Sequence, residues 1–222
     1  MTAILRTEDL GAVVFSSGKV FNALGTDRLS TEGFLRDGCL DGVTSKADLS
    51  LLQDLQDVAH FVVSHTSDPI DADYVVAINT LLSRTGAIHP GRLREPDQAI
   101  GVSTRYGRHP PEALALADLQ QIIDESARDP DTIEAALRLF VRLAAAQPFE
   151  DGNKRTALFA ANGLLINSGT GKLLPVPSDD DDPQVATTFN DLLARAYVVH
   201  DESPVKALMR RHVIDLPQPD RA

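Results

Sequence analysis

The spacing of apolar residues predicts that most of this chain folds as α-helices. From about residue 46 onward, apolar side chains recur every three or four positions, which is the periodicity of one helical face. We predict an all-α fold class, with a helical domain over residues 46–215. The predicted helices cover residues 48–64, 71–84, 111–126, 130–146, 153–167, 183–199 and 204–212.

Two of these helices have the composition of a buried central pair. Residues 133–146 carry a strong apolar stripe, and residues 153–167 are apolar on nearly every side. A helix that is hydrophobic all round is normally enclosed by other elements. We therefore expect the two helices to pack at the centre of the domain, joined by the polar turn at 147–152.

Two regions interrupt the helical periodicity. Residues 1–45 contain six glycines, so an irregular N-terminal extension without long helices is expected there, with a short strand at 13–15. Residues 87–110 are rich in glycine and proline, and Ile100 and Val102 alternate as in a short strand. A long loop or hairpin is expected in this second region, and such segments are commonly functional or mobile.

Composition and charge narrow the class of protein. The 222 residues include 21 basic and 32 acidic ones, for a net charge of −11. A broad basic surface for nucleic acid or for an anionic membrane is therefore not expected. No segment approaches the roughly 20 apolar residues of a membrane helix, and no secretory signal follows Met1, which favours a cytoplasmic protein. Cys39 is the only cysteine, so no internal disulfide is expected.

The turn between the two central helices has the composition of a phosphate-binding site. From Gln147 to Arg155 it reads QPFEDGNKR. The first N–H groups of the following helix lack intrahelical partners, Gly152 lets a ligand approach the backbone, and Lys154 and Arg155 add positive charge. Asp151 adds an oxygen ligand of the kind that Mg²⁺ takes beside phosphates. A purely structural turn is the alternative, although a simple cap would not require this combination of residues.

This segment resembles the loop–helix signature of the Fic/Doc family. The signature has His, a variable residue, Phe, a variable residue, an acid, Gly or Ala, Asn, Gly or Lys, and then Arg. The match runs from Gln147 to Arg155, and residues 156–158 continue it as in the Doc-like branch. Arg94 after a Pro-Gly pair and the alternation at 100–102 resemble the β-hairpin flap of the family. The resemblance implies a Fic-like helical bundle with a central helix pair and a small flap.

The resemblance also implies a role for each motif residue. Phe149 would anchor the loop in the core, Asp151 would bind Mg²⁺, and Arg155 would pair with a phosphate of ATP or another nucleotide. The anion-binding nest would comprise Gly152, Asn153 and Lys154. Together these residues would transfer AMP or phosphate to a hydroxyl of a target protein.

A target protein is the partner that the resemblance implies most directly. A segment of the target would align by strand addition along the flap. The docking residues would be Ile100, Gly101, Val102 and Ser103. An antitoxin or another regulator is a further partner of such proteins.

Departures from the signature leave two functions open. Gln147 stands where the family has its catalytic His, and losing a general base typically costs about 10²–10⁴-fold in rate. Leu158 replaces the second Arg of AMP-transferring members, and Lys154 replaces their Gly, both as in Doc-like members. His109, beside the flap, is another candidate base, with an ordinary surface histidine as the alternative. The chain is either a transferase with impaired chemistry or a degenerate Fic domain that binds a nucleotide or protein as a regulatory module.

The acidic run at Asp179–Asp182 invites interpretation as a metal site. It directly precedes Pro183 and a predicted helix, whose N-terminal end favours negative charge. We therefore expect this run to cap the helix.

Overall fold

The computed structural model describes residues 5–98 and 100–216. Over these residues it contains nine α-helices and two small antiparallel sheets of two strands each. The helices are α1 (Gly11–Asn22), α2 (Arg28–Asp37), α3 (Lys46–Ser64), α4 (Ala72–Leu81), α5 (Leu116–Ala127), α6 (Thr132–Ala146), α7 (Asn153–Asn167), α8 (Gln184–Val199) and α9 (Ser203–Arg210). Strand β1 (Val102–Thr104) pairs with β2 (Gly107–His109), and β3 (Lys172–Leu173) pairs with β4 (Ile214–Asp215). This mostly helical architecture confirms the predicted fold class.

The central pair predicted from the apolar pattern is α6 and α7. Asp131 caps α6 by accepting hydrogen bonds from the backbone N–H groups of Ile133 and Glu134. Helix α7 packs against α6 on one side and against α3 and α4 on others. Phe140 of α6 and Phe159 of α7 are fully buried. Both helices therefore confirm the expectation for residues 133–146 and 153–167.

The prediction of an irregular N-terminal segment is wrong, because residues 5–45 contain α1, α2 and a short 3₁₀ turn. The strand expected at 13–15 lies inside α1. The glycines permit close packing here: a Cβ on Gly18 would lie 2.8 Å from Leu24 Cδ2, and one on Gly11 would lie 3.0 Å from Glu32 Cγ. The domain boundary near residue 45 stays a prediction.

Two helix ends differ from the periodic pattern because tertiary hydrogen bonds replace helical ones. Helix α4 ends at Leu81, since the backbone N–H groups of Arg84 and Thr85 donate to the Asp54 carboxylate of α3. Helix α5 begins at Leu116 and not near 111. The carbonyl groups of the preceding segment, at 111 and 112, accept from the Arg94 guanidinium.

The predicted hairpin is present as β1 and β2, which we call the flap. Its register pairs Val102 with His109. At its tip, Arg105 and Tyr106 both donate hydrogen bonds to the Asp191 carboxylate of α8. At its base, His109 Nε2 lies 2.7 Å from the carbonyl oxygen of Ala145 in α6. The flap is therefore tied to two helices.

The acidic run acts partly as predicted. The Asp182 side chain accepts a hydrogen bond of 3.0 Å from the backbone N–H of Gln184, the first residue of α8. The capping prediction is confirmed for this residue. Among the described residues, no helix has both the length and the apolar character needed to cross a bilayer.

Candidate functional site

The turn between α6 and α7 lines a cavity of about 280 Å³. Two other parts of the chain contribute to its wall: Ile100, Gly101 and Val102, where the flap begins, and Phe21 and Asn22 at the end of α1. The predicted motif residues share this cavity. They are Gln147, Asp151, Gly152, Asn153, Lys154 and Arg155.

The shape of the turn depends on the Asn153 side chain. Its Oδ1 accepts from the backbone N–H of Phe149, and its Nδ2 donates to the carbonyl oxygen of Phe149, both at 2.9 Å. Phe149 itself is fully buried, which fixes the turn to the core. The Asn153 amide therefore closes the loop, and the atoms that face a ligand come from its backbone.

The first N–H groups of α7 form a potential anion site. The first backbone bond of the helix joins Thr156 N–H to the carbonyl oxygen of Gly152. The backbone N–H groups at 153, 154 and 155 have no acceptor among the described residues. Gly152, at φ +75°, is different because its N–H donates to Asp151 Oδ1 at 2.6 Å. Three free donors at the positive end of a helix dipole are suited to a phosphate group.

Neither motif cation is freely solvated. The Lys154 ammonium lies 5.4 Å from the centre of the Phe21 ring, and burial lowers the pKa of this lysine. The Arg155 side chain is only 3% exposed, and Asp151 Oδ2 lies 4.0 Å from its Nη2. Burial lowers the pKa of Arg155, whereas the charges of Asp151 and Asp54 raise it. Both cations are held at the cavity wall.

Gln147 occupies the strained end of α6. Its backbone lies in the left-handed region, at φ 45° and ψ 58°, and its carbonyl oxygen accepts from Arg94 Nε at 2.8 Å. Gln147 lines the cavity, and its side-chain amide has no hydrogen-bond partner within 5–98 or 100–216. The amide is therefore available to a ligand at the position of the predicted base.

The structure does not bring every predicted residue to the cavity. The ring of His109 packs against Tyr197, with ring centres 5.2 Å apart, and Nε2 is engaged with Ala145. His109 and Ser103 are absent from the cavity lining formed by the described residues. His109 is therefore positioned as an anchor of the flap.

Comparison with known proteins gives one family match. Residues 69–165, fewer than half of the 222, match the family model described as Fic/DOC family, so this segment is similar to that family. No curated protein matches the chain.

Solved structures support the same fold over nearly the whole chain. Fic-1 from C. elegans is similar with a TM-score of 0.67 and 16% identity, over 95% of this chain and 64% of that one. A substituted form of Fic-1 has a TM-score of 0.67 and 20% identity, over 91% of this chain and 59% of that one. A Fic domain containing signaling protein from Bacteroides thetaiotaomicron VPI-5482 has a TM-score of 0.62 and 14% identity, over 92% of this chain and 86% of that one. This chain thus spans less than two thirds of the Fic-1 structures, and at these identities the likeness shows the fold alone.

Two buried side chains outside the cavity lining hold the backbone of the turn in place by hydrogen bonds. Asn79 Nδ2 donates to the carbonyl oxygen of Asp151 and to Thr156 Oγ1, both at 3.0 Å, while its Oδ1 accepts from Gly91 N–H at 2.8 Å. Sequence reasoning missed this residue. The signal was available, because an amide on the apolar face of a predicted helix needs partners inside the protein.

The second supporting residue is Arg94, whose guanidinium is buried. It donates to four backbone carbonyl oxygens, those of residues 98, 111, 112 and 147, at 2.8 to 3.2 Å. Burial lowers its pKa. Arg94 thereby joins the segments on both sides of the flap to the end of α6. The sequence placed it in the flap motif without showing this role.

The carboxylates at the cavity fit Mg²⁺ only together with a phosphate. Asp151 is 61% exposed and lies beside the free N–H groups of α7. The described residues contain no group of three or more His, Cys, Asp or Glu suited to a metal ion. Mg²⁺ is commonly bound by one or two carboxylates plus substrate phosphates and water, so a single Asp is compatible with it.

Proposed function

We propose that this chain binds a Mg²⁺–nucleotide such as ATP through its phosphates at the N-terminus of α7. The observation that carries the proposal is the convergence of three free backbone N–H groups, Lys154 and Arg155 on one cavity. Charge-assisted hydrogen bonds of this kind are the stronger class. Asp151 would hold the metal, which neutralises negative charge on the phosphates when bound.

We further propose a transfer of AMP or phosphate to a protein hydroxyl, with impaired chemistry. For AMP transfer, the target hydroxyl would attack the α-phosphorus of ATP and displace pyrophosphate; for phosphate transfer, it would attack the γ-phosphorus and displace ADP. In both cases the hydroxyl proton would pass to solvent water. Gln147 is placed to orient the hydroxyl by hydrogen bonding, but its amide does not accept a proton near neutral pH. The N–H groups of α7 would still stabilise charge on the transferring group.

The environment of Leu158 supports the Doc-like alternative within this proposal. Leu158 is fully buried in α7, so no group at this position grips a terminal phosphate. Lys154 lines the cavity and supplies a positive charge there, beside Phe21. We therefore favour the Doc-like arrangement, in which the nucleotide is bound in the reverse orientation to that of AMP-transferring members. A target segment would align along Ile100–Ser103, and an antitoxin or regulator would be a further partner.

The test of the proposed transfer is the replacement Gln147→His. Mg²⁺ and ATP, labelled in one arm at the α-phosphate and in another at the γ-phosphate, are supplied with a cell lysate. Modified proteins are identified by mass spectrometry. Restoring the base should raise labelling by about 10²-fold or more over wild type. Gln147→Asn is the matched control, because it keeps an amide and restores no base.

Rapid labelling by wild type that the histidine does not increase would show that another group takes the proton. The regulatory module without chemistry is the second candidate, and Gln147 is the observation that favours it. That candidate predicts Mg²⁺–ATP binding by calorimetry with no labelling by either protein. Equal ATP affinities of wild type and Arg155→Ala would contradict nucleotide binding at this site and leave only a protein-binding module.

A further inference from the structure

The Arg155 guanidinium is held on its protein side by one residue. Arg155 Nη1 donates to Thr85 Oγ1 at 2.7 Å, and Nη2 donates to the carbonyl oxygen of Thr85 at 3.2 Å. The remaining N–H groups of the guanidinium have no hydrogen-bond acceptor within 5–98 or 100–216. Because Arg155 lines the cavity, these remaining donors are available to an anion bound there.

Thr85 is in turn fixed by a fully buried carboxylate, that of Asp54 in α3. Thr85 donates to Asp54 Oδ2 from its hydroxyl at 2.7 Å and from its backbone N–H at 2.8 Å. The hydroxyl has a single hydrogen, which is used in the hydrogen bond to Asp54. Its lone pairs are therefore directed to Arg155. The three side chains form a relay in which Arg155 donates to Thr85 and Thr85 donates to Asp54.

Burying these polar and charged side chains in an apolar core costs desolvation free energy. Residues 157–166 of α7 are mostly apolar, and replacing buried charges by apolar groups is often neutral or stabilising. Asp54 also accepts from the backbone N–H and Nη1 of Arg84, at 3.0 to 3.1 Å, so its charge is well compensated. The relay ends at Arg155, the one arginine of α7, and Arg155 lines the cavity.

We propose that Asp54 and Thr85 are positioning residues that hold the Arg155 guanidinium in the orientation required for phosphate binding. This inference rests on the proposed function, and it extends the site to two residues outside the motif. Asp54 lies outside the segment that matches the family. Fixing a guanidinium before the ligand arrives reduces the entropy lost on binding.

The first test compares two replacements of the same hydroxyl. Thr85→Val keeps the shape and removes the hydroxyl, whereas Thr85→Ser keeps the hydroxyl. Calorimetry with Mg²⁺–ATP should show a Kd about tenfold higher for Thr85→Val and within about twofold of wild type for Thr85→Ser. The Kd of Arg155→Ala gives the upper limit of the affinity loss that disrupting the relay causes. Urea unfolding of each variant reports the structural effect separately.

The second test addresses the carboxylate and needs no nucleotide. Asp54→Asn removes the charge, and Asp57→Asn is the matched control, because Asp57 pairs with Arg84 at 2.7 Å and is not a partner of Thr85. NMR of the Arg155 Nε–H follows the order of the guanidinium. The signal should broaden or exchange faster with solvent in Asp54→Asn and Thr85→Val, and remain as in wild type in Asp57→Asn.

The outcomes separate the two proposals. Equal ATP affinities of wild type and Arg155→Ala overturn the proposed phosphate site. A weakened Arg155→Ala beside an unaffected Thr85→Val overturns the positioning role alone. An unchanged Arg155 signal in both relay variants overturns it as well. If Asp54→Asn does not fold, the valine and serine variants of Thr85 decide.

Discussion

Gly152 has the most restricted environment of the motif residues. Its φ of +75° lies in the left-handed region, and a Cβ there would lie 2.7 Å from Leu82 Cδ1 and 3.1 Å from Asn79 Nδ2. Both neighbours are buried, so neither is free to move aside. In this chain the position therefore favours glycine for its backbone conformation as well as for the close approach of a ligand.

We expect Gly152→Ala to lower the free energy of unfolding by more than the strain of a positive φ, which alone costs about 1–2 kcal/mol. Gly169→Ala is the matched control, because φ is +64° there and a Cβ would meet nothing within 4 Å among the described residues. Urea unfolding measures both variants. Equal losses in the two would show that contact with Leu82 has no cost.

The residues of the motif were predictable from sequence, and those that support it were not. Gln147 to Arg155 are contiguous, so their shared location follows from one turn. Arg94 reaches a carbonyl 53 positions away, and Asn79 reaches one 72 positions away. Such partners depend on how helices pack, which local spacing does not specify.

At the scale of elements, the flap is held at its tip by a single carboxylate. Asp191 of α8 accepts from Arg105 Nη2 and from the Tyr106 hydroxyl. A two-stranded hairpin is marginally stable by itself, so this contact limits its motion. The flap would thereby present its edge to a target in one conformation.

We expect Asp191→Asn to raise hydrogen exchange of the flap amides by about tenfold, equivalent to about 1.4 kcal/mol. Mass spectrometry of peptides covering 100–109 measures this change. Asp215→Asn is the control, because it removes a carboxylate paired with Lys172 at the other two-stranded sheet. Exchange unchanged in Asp191→Asn, or raised equally by both variants, would contradict the anchoring role.

Helix prediction succeeded where local signals and packing agree. The predicted bounds 133–146 and 153–167 nearly coincide with α6 and α7, since periodicity, the Asp131 cap and the polar turn all agree. Helices α1 and α2 were missed because their glycines look like helix breakers. Only the neighbouring helices show that those glycines permit close contact.

At the scale of the whole molecule, a charge cluster joins α9 to α6. Glu134 pairs with Lys206 and with Arg210, and Arg210 also pairs with Asp131 at 2.9 Å. Hydrogen bonding to Arg210 lowers the pKa of Asp131. Desolvation acts to raise the pKa of Glu134, but Lys206 and Arg210 outweigh it, so this pKa is lowered as well.

We expect this cluster to make the protein acid-sensitive. A lowered pKa means that its contribution is present above the pKa of the unfolded chain and is lost as pH falls through the folded value. The urea midpoint should therefore decrease between about pH 5 and pH 3. The decrease should be smaller in Glu134→Gln and in Arg210→Met. A wild-type pH dependence in both variants would contradict the assignment.

The cavity extends beyond the segment that matches the family, because Phe21, whose ring lies beside Lys154, belongs to its wall. Residues 69–165 carry the signature, yet the wall at Phe21 and Asn22 and the carboxylate of Asp54 lie before residue 69. A chimera that receives only the matched segment would inherit the signature without an intact binding pocket. For inhibitor screening, the smallest meaningful unit therefore begins at α1.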